Sequence, residues 1–103
     1  MSGKLKIDTT NSRESVVVWQ GERYSAANKR FASQVLLSLV DQAVGGRENL
    51  DKITAIEIAS GPGSFTGLRV GFSVGQLLGW QRGCLVNGQK ISAQNVVLPT
   101  YDE

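Results

Sequence analysis

At 103 residues the chain is sized for one small domain, long enough for a core and short enough that extra burial against a partner would matter. Its net charge of +2 is spread among acids with no basic run to track a phosphate backbone, so charge alone does not nominate nucleic acid. It has no histidine and one cysteine, Cys84, which removes imidazole nucleophile activation, imidazole metal ligation and an internal disulfide. Cys84, beside Leu85 and Val86, reads as a small apolar residue of a reduced, cytoplasmic protein. No basic start followed by an apolar run marks a secretory signal or a membrane span, so a soluble protein with no membrane partner is expected.

In chain order, KLKID and SVVVWQ read as strands on either side of the polar turn Thr9 to Arg13, and GERYS opens a third after a Gln20-Gly21 turn. From Asn28 to Val44 the apolar residues Phe31, Val35, Leu36, Leu39, Val40 and Ala43 fall at helical spacing, ended by Gly45-Gly46. KITAIEIAS, rich in β-branched residues, reads as a strand that runs into a Gly-Pro-Gly break. A second helix follows from about Ser64, with Ser64 or Thr66 as N-cap, to Arg82 before Gly83. CLVNGQKI reads as a hairpin around Asn87-Gly88, and SAQNVVLPTYDE as a strand or an extended tail. This order predicts an α/β fold, a mixed sheet with both main helices on one face. The whole chain, residues 1–103, is expected to be a single domain in which residues 84–103 are hairpin and tail.

Both helices carry more apolar surface than one sheet covers. Phe31, Val35, Leu36, Leu37, Leu39, Val40 and Ala43 span an arc of roughly 240° on the first helix. On the second, Val70, Val74, Leu77 and Leu78 form one face, with Leu68 and Phe72 beyond a stripe of glycines at every fourth residue, Gly67 to Gly83. Interior Gly71, Gly75 and Gly79 together cost ~3 kcal/mol of helix propensity, which close contacts must offset. The spacing predicts a shallow groove for a neighbouring helix, either the protein's own first helix or one from a partner.

Two polar features invite a chemical reading. GPGSFTG opens a helix and could cradle an anion, but it lacks the P-loop lysine, and Pro62 removes one N–H; a capped strand-to-helix turn explains the same residues. Asp8, Thr9 and Thr10 end the first strand in the way actin-like ATPases begin their phosphate loop, without the glycine that lets backbone approach phosphate. They are the candidate nucleotide contacts, and equally ordinary turn residues. No metal set and no cofactor is expected.

IDTTNSRESVVVW followed by a helix and ITAIEIASGPGSFTGLRVG resembles the TsaB (YeaZ) family, over about residues 4 to 83. The resemblance implies the first lobe of an actin-like (ASKHA, RNase H-like) fold. With the chain ending at Glu103, soon after the second helix, a short form with the second lobe absent is expected, a fragment of a longer protein being the alternative. It further implies a non-catalytic scaffold for the tRNA N6-threonylcarbamoyladenosine modification, which pairs through its two helices with a catalytic TsaD-type paralogue that holds the metal. A homodimer in isolation, a TsaE-type ATPase as a further partner, and only indirect contact with tRNA are also implied. The interface residues would be Phe31, Val35 and Leu39 of the first helix and Leu68, Arg69, Gly71, Phe72, Gly75 and Gly79 of the second. The alternatives are a nucleotide- or anion-binding actin-like module, or an enzyme: a glycoprotease-like hydrolase, or a small phosphatase or ATPase. Absence of histidine and of a clustered carboxylate pair weighs against an enzyme.

Overall fold

The first three strands form a meander in which alternate side chains point to one buried face. In β1 (Gly3–Asp8) Leu5 and Ile7 are buried while Lys4, Lys6 and Asp8 are exposed. Antiparallel pairing with β2 (Glu14–Trp19) sets Leu5 opposite Trp19 and Ile7 opposite Val17, so four apolar side chains share that face. Trp19 pairs directly with Glu22 of β3 (Glu22–Ala27), which leaves Gln20 and Gly21 as a two-residue loop. Both have positive φ, 52° and 83°, the type I′ geometry that matches strand twist. The structure is a computed structural model that describes residues 3–11, 13–27, 32–59 and 65–90, with backbone alone at 32, 47 and 65–68.

Helix α1 (Ala32–Val44) ends where Gly45 takes φ 90° and the N–H groups of Gly45 and Gly46 both donate to the Asp41 carbonyl, at 3.1 and 2.8 Å. A 3₁₀ turn, Arg47–Lys52, then leads into β4 (Ile53–Ile58). Strict alternation would put Ile53 opposite to Ile56 and Ile58, yet all three are buried. Register with β1 explains it: Gly3 faces Ile53 and Lys4 faces Ala55, so Thr54 is an extra residue turned outward with its hydroxyl donating to the Gly3 carbonyl at 3.2 Å.

Helix α2 (Phe65–Arg82) returns over the sheet to a short hairpin, β5 (Leu85–Val86) and β6 (Gln89–Lys90). The strand order is β3-β2-β1-β4-β5-β6, with β1, β4 and β5 parallel to one another and the remaining pairs antiparallel. The mixed sheet expected from the sequence is therefore present. α1 packs chiefly on β2 and β3, α2 on β4 and β5, and both lie on the face that Leu5, Ile7 and Val17 line. The opposite face carries charge, including exposed pairs Lys4 with Glu57 (3.3 Å) and Arg23 with Glu14 (3.4 Å), worth little individually. The start of the first helix at Asn28, the N-cap at Ser64 and the tail from Ser92 all lie outside the described residues, as does the side chain of Thr66.

One side chain extends the backbone pairing that attaches the β5–β6 hairpin to β4. Asn87 and Gly88 take φ 49° and 78°, again a type I′ turn, as the Asn-Gly pair predicts. The Asn87 N–H donates to the Ile56 carbonyl at 2.9 Å. Beyond it the carboxamide continues the ladder: Ile58 N–H donates to Oδ1 at 2.6 Å and Nδ2 donates to the Ile58 carbonyl at 3.0 Å. A two-residue strand thus holds three residues of β4. Asn87→Gly keeps the positive φ but deletes both side-chain bonds. We expect it to cost about 1 to 3 kcal/mol in urea unfolding, because Ile58 is left with an unmatched N–H and carbonyl.

Candidate functional site

The turn after β1 closes on itself. Oδ1 of Asp8 accepts from the Thr10 N–H at 3.0 Å and from the Thr10 hydroxyl at 2.7 Å, and Oδ1 of Asn11 accepts from the Arg13 N–H at 2.9 Å. The Thr10 N–H and hydroxyl, two groups that could meet a phosphate, both donate to the Asp8 carboxylate. Thr9 does something else entirely. Its side chain is buried and turned under α2, with a hydroxyl that has no hydrogen-bond partner among the described residues.

The glycine stripe seats the sheet, which corrects the expectation of a helix groove. A Cβ on Gly71 would run into the Thr9 side chain, and one on Gly79 into Val86. One on Gly75 would lie 2.5 Å from Cδ1 and 2.9 Å from Cγ1 of Ile58. The missing side chains let α2 lie directly on β1, β4 and β5, and that close approach offsets the poor helix propensity of glycine. α1 meets α2 on another flank. Ser33 shares a cleft with Arg69, Val70 and Ser73, and farther along Leu37, Val40 and Asp41 share one with Leu78 and Gln81, so the helices run side by side in the same direction.

The predicted interface residues divide accordingly. Gly71, Phe72, Gly75, Gly79 and Leu39 are buried within the protein and are corrected to core positions. Val35 is half-buried beside Ala26 and Ala27 of β3, and Arg69 is exposed. Phe31 and the side chain of Leu68 lie outside the described residues. What the helix layer presents outward is different: Leu37 at 44%, Leu77 at 50% and Trp80 at 64% exposure. Leu77 groups by sequence with its buried neighbour Leu78 yet turns outward, and Trp80 lies on the same flank. Their signal is the i, i+4, i+7 series Ser73, Leu77, Trp80, which lies about half a turn round the helix from Gly75.

Cys84 is half-buried against the core, and burial pushes its thiol up, outweighing the opposing influence of its backbone hydrogen bond and Arg82. It packs as a small apolar residue. Among the described residues no three of Cys, Asp and Glu gather as a metal set, and no helix is long and apolar enough to cross a membrane.

The family model of TsaD, tRNA N6-adenosine threonylcarbamoyltransferase, matches residues 25–87, more than half of the chain. The chain belongs to this family. Within it the chain is TsaB (YeaZ)-like: YeaZ from Pseudomonas aeruginosa superposes with a TM-score of 0.65 at 29% identity, over 84% of this chain and 42% of that one. A second structure, described as an uncharacterized protein with similarity to peptidase YEAZ from Pseudomonas aeruginosa, gives 0.62 at 30% identity, over 84% and 43%. No curated protein matches. The TsaB-like chain spans less than half the length of these solved structures, and its sheet and two helices form a partial actin-like lobe of the same kind.

Proposed function

We propose that this TsaB-like chain is a non-catalytic scaffold subunit of the tRNA N6-threonylcarbamoyladenosine machinery, docking through the outward face of α1 and α2 on a TsaD-type catalytic paralogue. The observation that carries the reading is the trio Leu37, Leu77 and Trp80, exposed on the one layer that both helices build. An exposed tryptophan is the kind of aromatic anchor in which interface centres are enriched. In this reading the chemistry and the metal belong to the paralogue, in the cytoplasm, and tRNA is met through it. A TsaE-type ATPase would join the assembly rather than this surface. Alone, the same apolar face would close on a second copy about a two-fold axis.

Light scattering tests the proposal. The chain alone at tens of micromolar should run as a dimer, and addition of the paralogue from the same source should replace it with a mixed complex. A persistent monomer that ignores the paralogue would sink the scaffold reading. A rise in melting temperature with ATP would instead favour a nucleotide-binding module.

A further inference from the structure

The asparagine that extends the attachment of the β5–β6 hairpin is followed by glycine, and that pair has a chemistry of its own. The Gly88 nitrogen can attack Cγ of Asn87, forming the N–Cγ bond of a cyclic imide while the Cγ–Nδ2 bond breaks and ammonia leaves with the amide proton. Water then opens either imide C–N bond, giving aspartate or its isomer with the chain routed through the side chain. Gly88 has no side chain to hinder the approach and is exposed to solvent.

In the folded protein both ends of the carboxamide are occupied, Oδ1 by the Ile58 N–H and Nδ2 by the Ile58 carbonyl. We infer that Asn87 is a deamidation site gated by this latch: cyclisation proceeds only from the opened hairpin, and the product cannot close it again. The carboxylate formed has no N–H to give to the Ile58 carbonyl and turns a second acceptor toward it. The isomerised product also lengthens the backbone inside a turn that tolerates two residues only. Either product removes the bonds to Ile58 that extend the pairing of Leu85 and Val86 with Ala55 and Ile56, and so weakens the seat of β5 and of Val86, which is fully buried against the Gly79 side of α2. Deamidation here is therefore a one-way loosening of the sheet edge.

Peptide mapping by mass spectrometry after incubation of the whole chain in warm, mildly alkaline buffer tests this. Asn87 should convert about tenfold or more slowly in the native protein than in concentrated guanidinium, since opening must precede attack. Native Asn87→Asp should show faster hydrogen exchange over Leu85 to Lys90 than the parent chain, the same change that slowly appears in the aged parent. Equal conversion rates with and without denaturant would overturn the gating. Unchanged exchange in the aspartate variant and in the aged, converted protein would overturn the one-way loosening.

Discussion

Replacing Gly71, Gly75 or Gly79 by alanine should lower the melting temperature in each case, although alanine is the better helix former. The methyl group meets the sheet, and overpacking of a filled site costs about 1 to 3 kcal/mol, against a propensity gain of about 1 kcal/mol. The three sites should not respond equally. At Gly75 the nearest obstacle is Cδ1 of Ile58, which can turn about χ2, while Cγ1 behind it at 2.9 Å moves only with χ1. At Gly71 and Gly79 the nearest atoms are Oγ1 of Thr9 and Cγ2 of Val86, each attached directly to Cβ, so they move only with the stiff χ1 of a fully buried residue. Gly71→Ala and Gly79→Ala should therefore cost the most. Combined, the three substitutions remove a large part of a total stability that is about 5 to 15 kcal/mol for such domains. A double-mutant cycle isolates the contact: Thr9→Ala removes the side chain that the new methyl meets, together with a buried hydroxyl that has no partner among the described residues. Gly71→Ala should be much less harmful on the Thr9→Ala background than alone. Higher melting temperatures for the single variants would mean that α2 stands farther from the sheet than described.

The same residues show why spacing was readable and its target was not. A glycine every fourth residue fixes one stripe on a helix, but a helical wheel does not say which neighbour the stripe meets. The second helix offers two arcs, and the one that bears glycine goes to the sheet because pleated Ile58 and Val86 bring methyl groups close to its backbone. That choice rotates Leu77 outward while Leu78 stays buried. Hairpins were plain in the sequence because Gln20-Gly21 and Asn87-Gly88 each supply two residues at positive φ. The bulge at Thr54 left only a faint trace, the uneven spacing of Ile53, Ile56 and Ile58. Polarity alone groups Thr9 with Asp8 and Thr10 as one turn; only the alternation along β1 separates it from them. Extended by one step, it puts Thr9 on the same inward face as Leu5 and Ile7.

Leu77→Gln with Trp80→Ser should abolish association while leaving the fold intact. Both side chains are at least half exposed, so their loss removes little burial within the protein, and surface changes of this kind usually stay within about 0.5 kcal/mol. At an interface the balance reverses: truncation of a tryptophan anchor costs about 2 kcal/mol or more, which is about 30-fold in affinity. Two controls give the result its meaning. Leu39→Ser alters a residue once assigned to the interface but buried at 4% exposure; it should unfold the protein more easily, because a polar group enters the core. Leu85→Gln changes an exposed leucine on the far face of the sheet, paired with Ala55, and should leave association unchanged. If Leu85→Gln weakens the complex while the double variant binds normally, the partner sits on the sheet and the helix face has some other use. If the double variant melts several degrees lower as a monomer, Leu77 or Trp80 carries core contacts, and the docking surface must be sought elsewhere on the two helices.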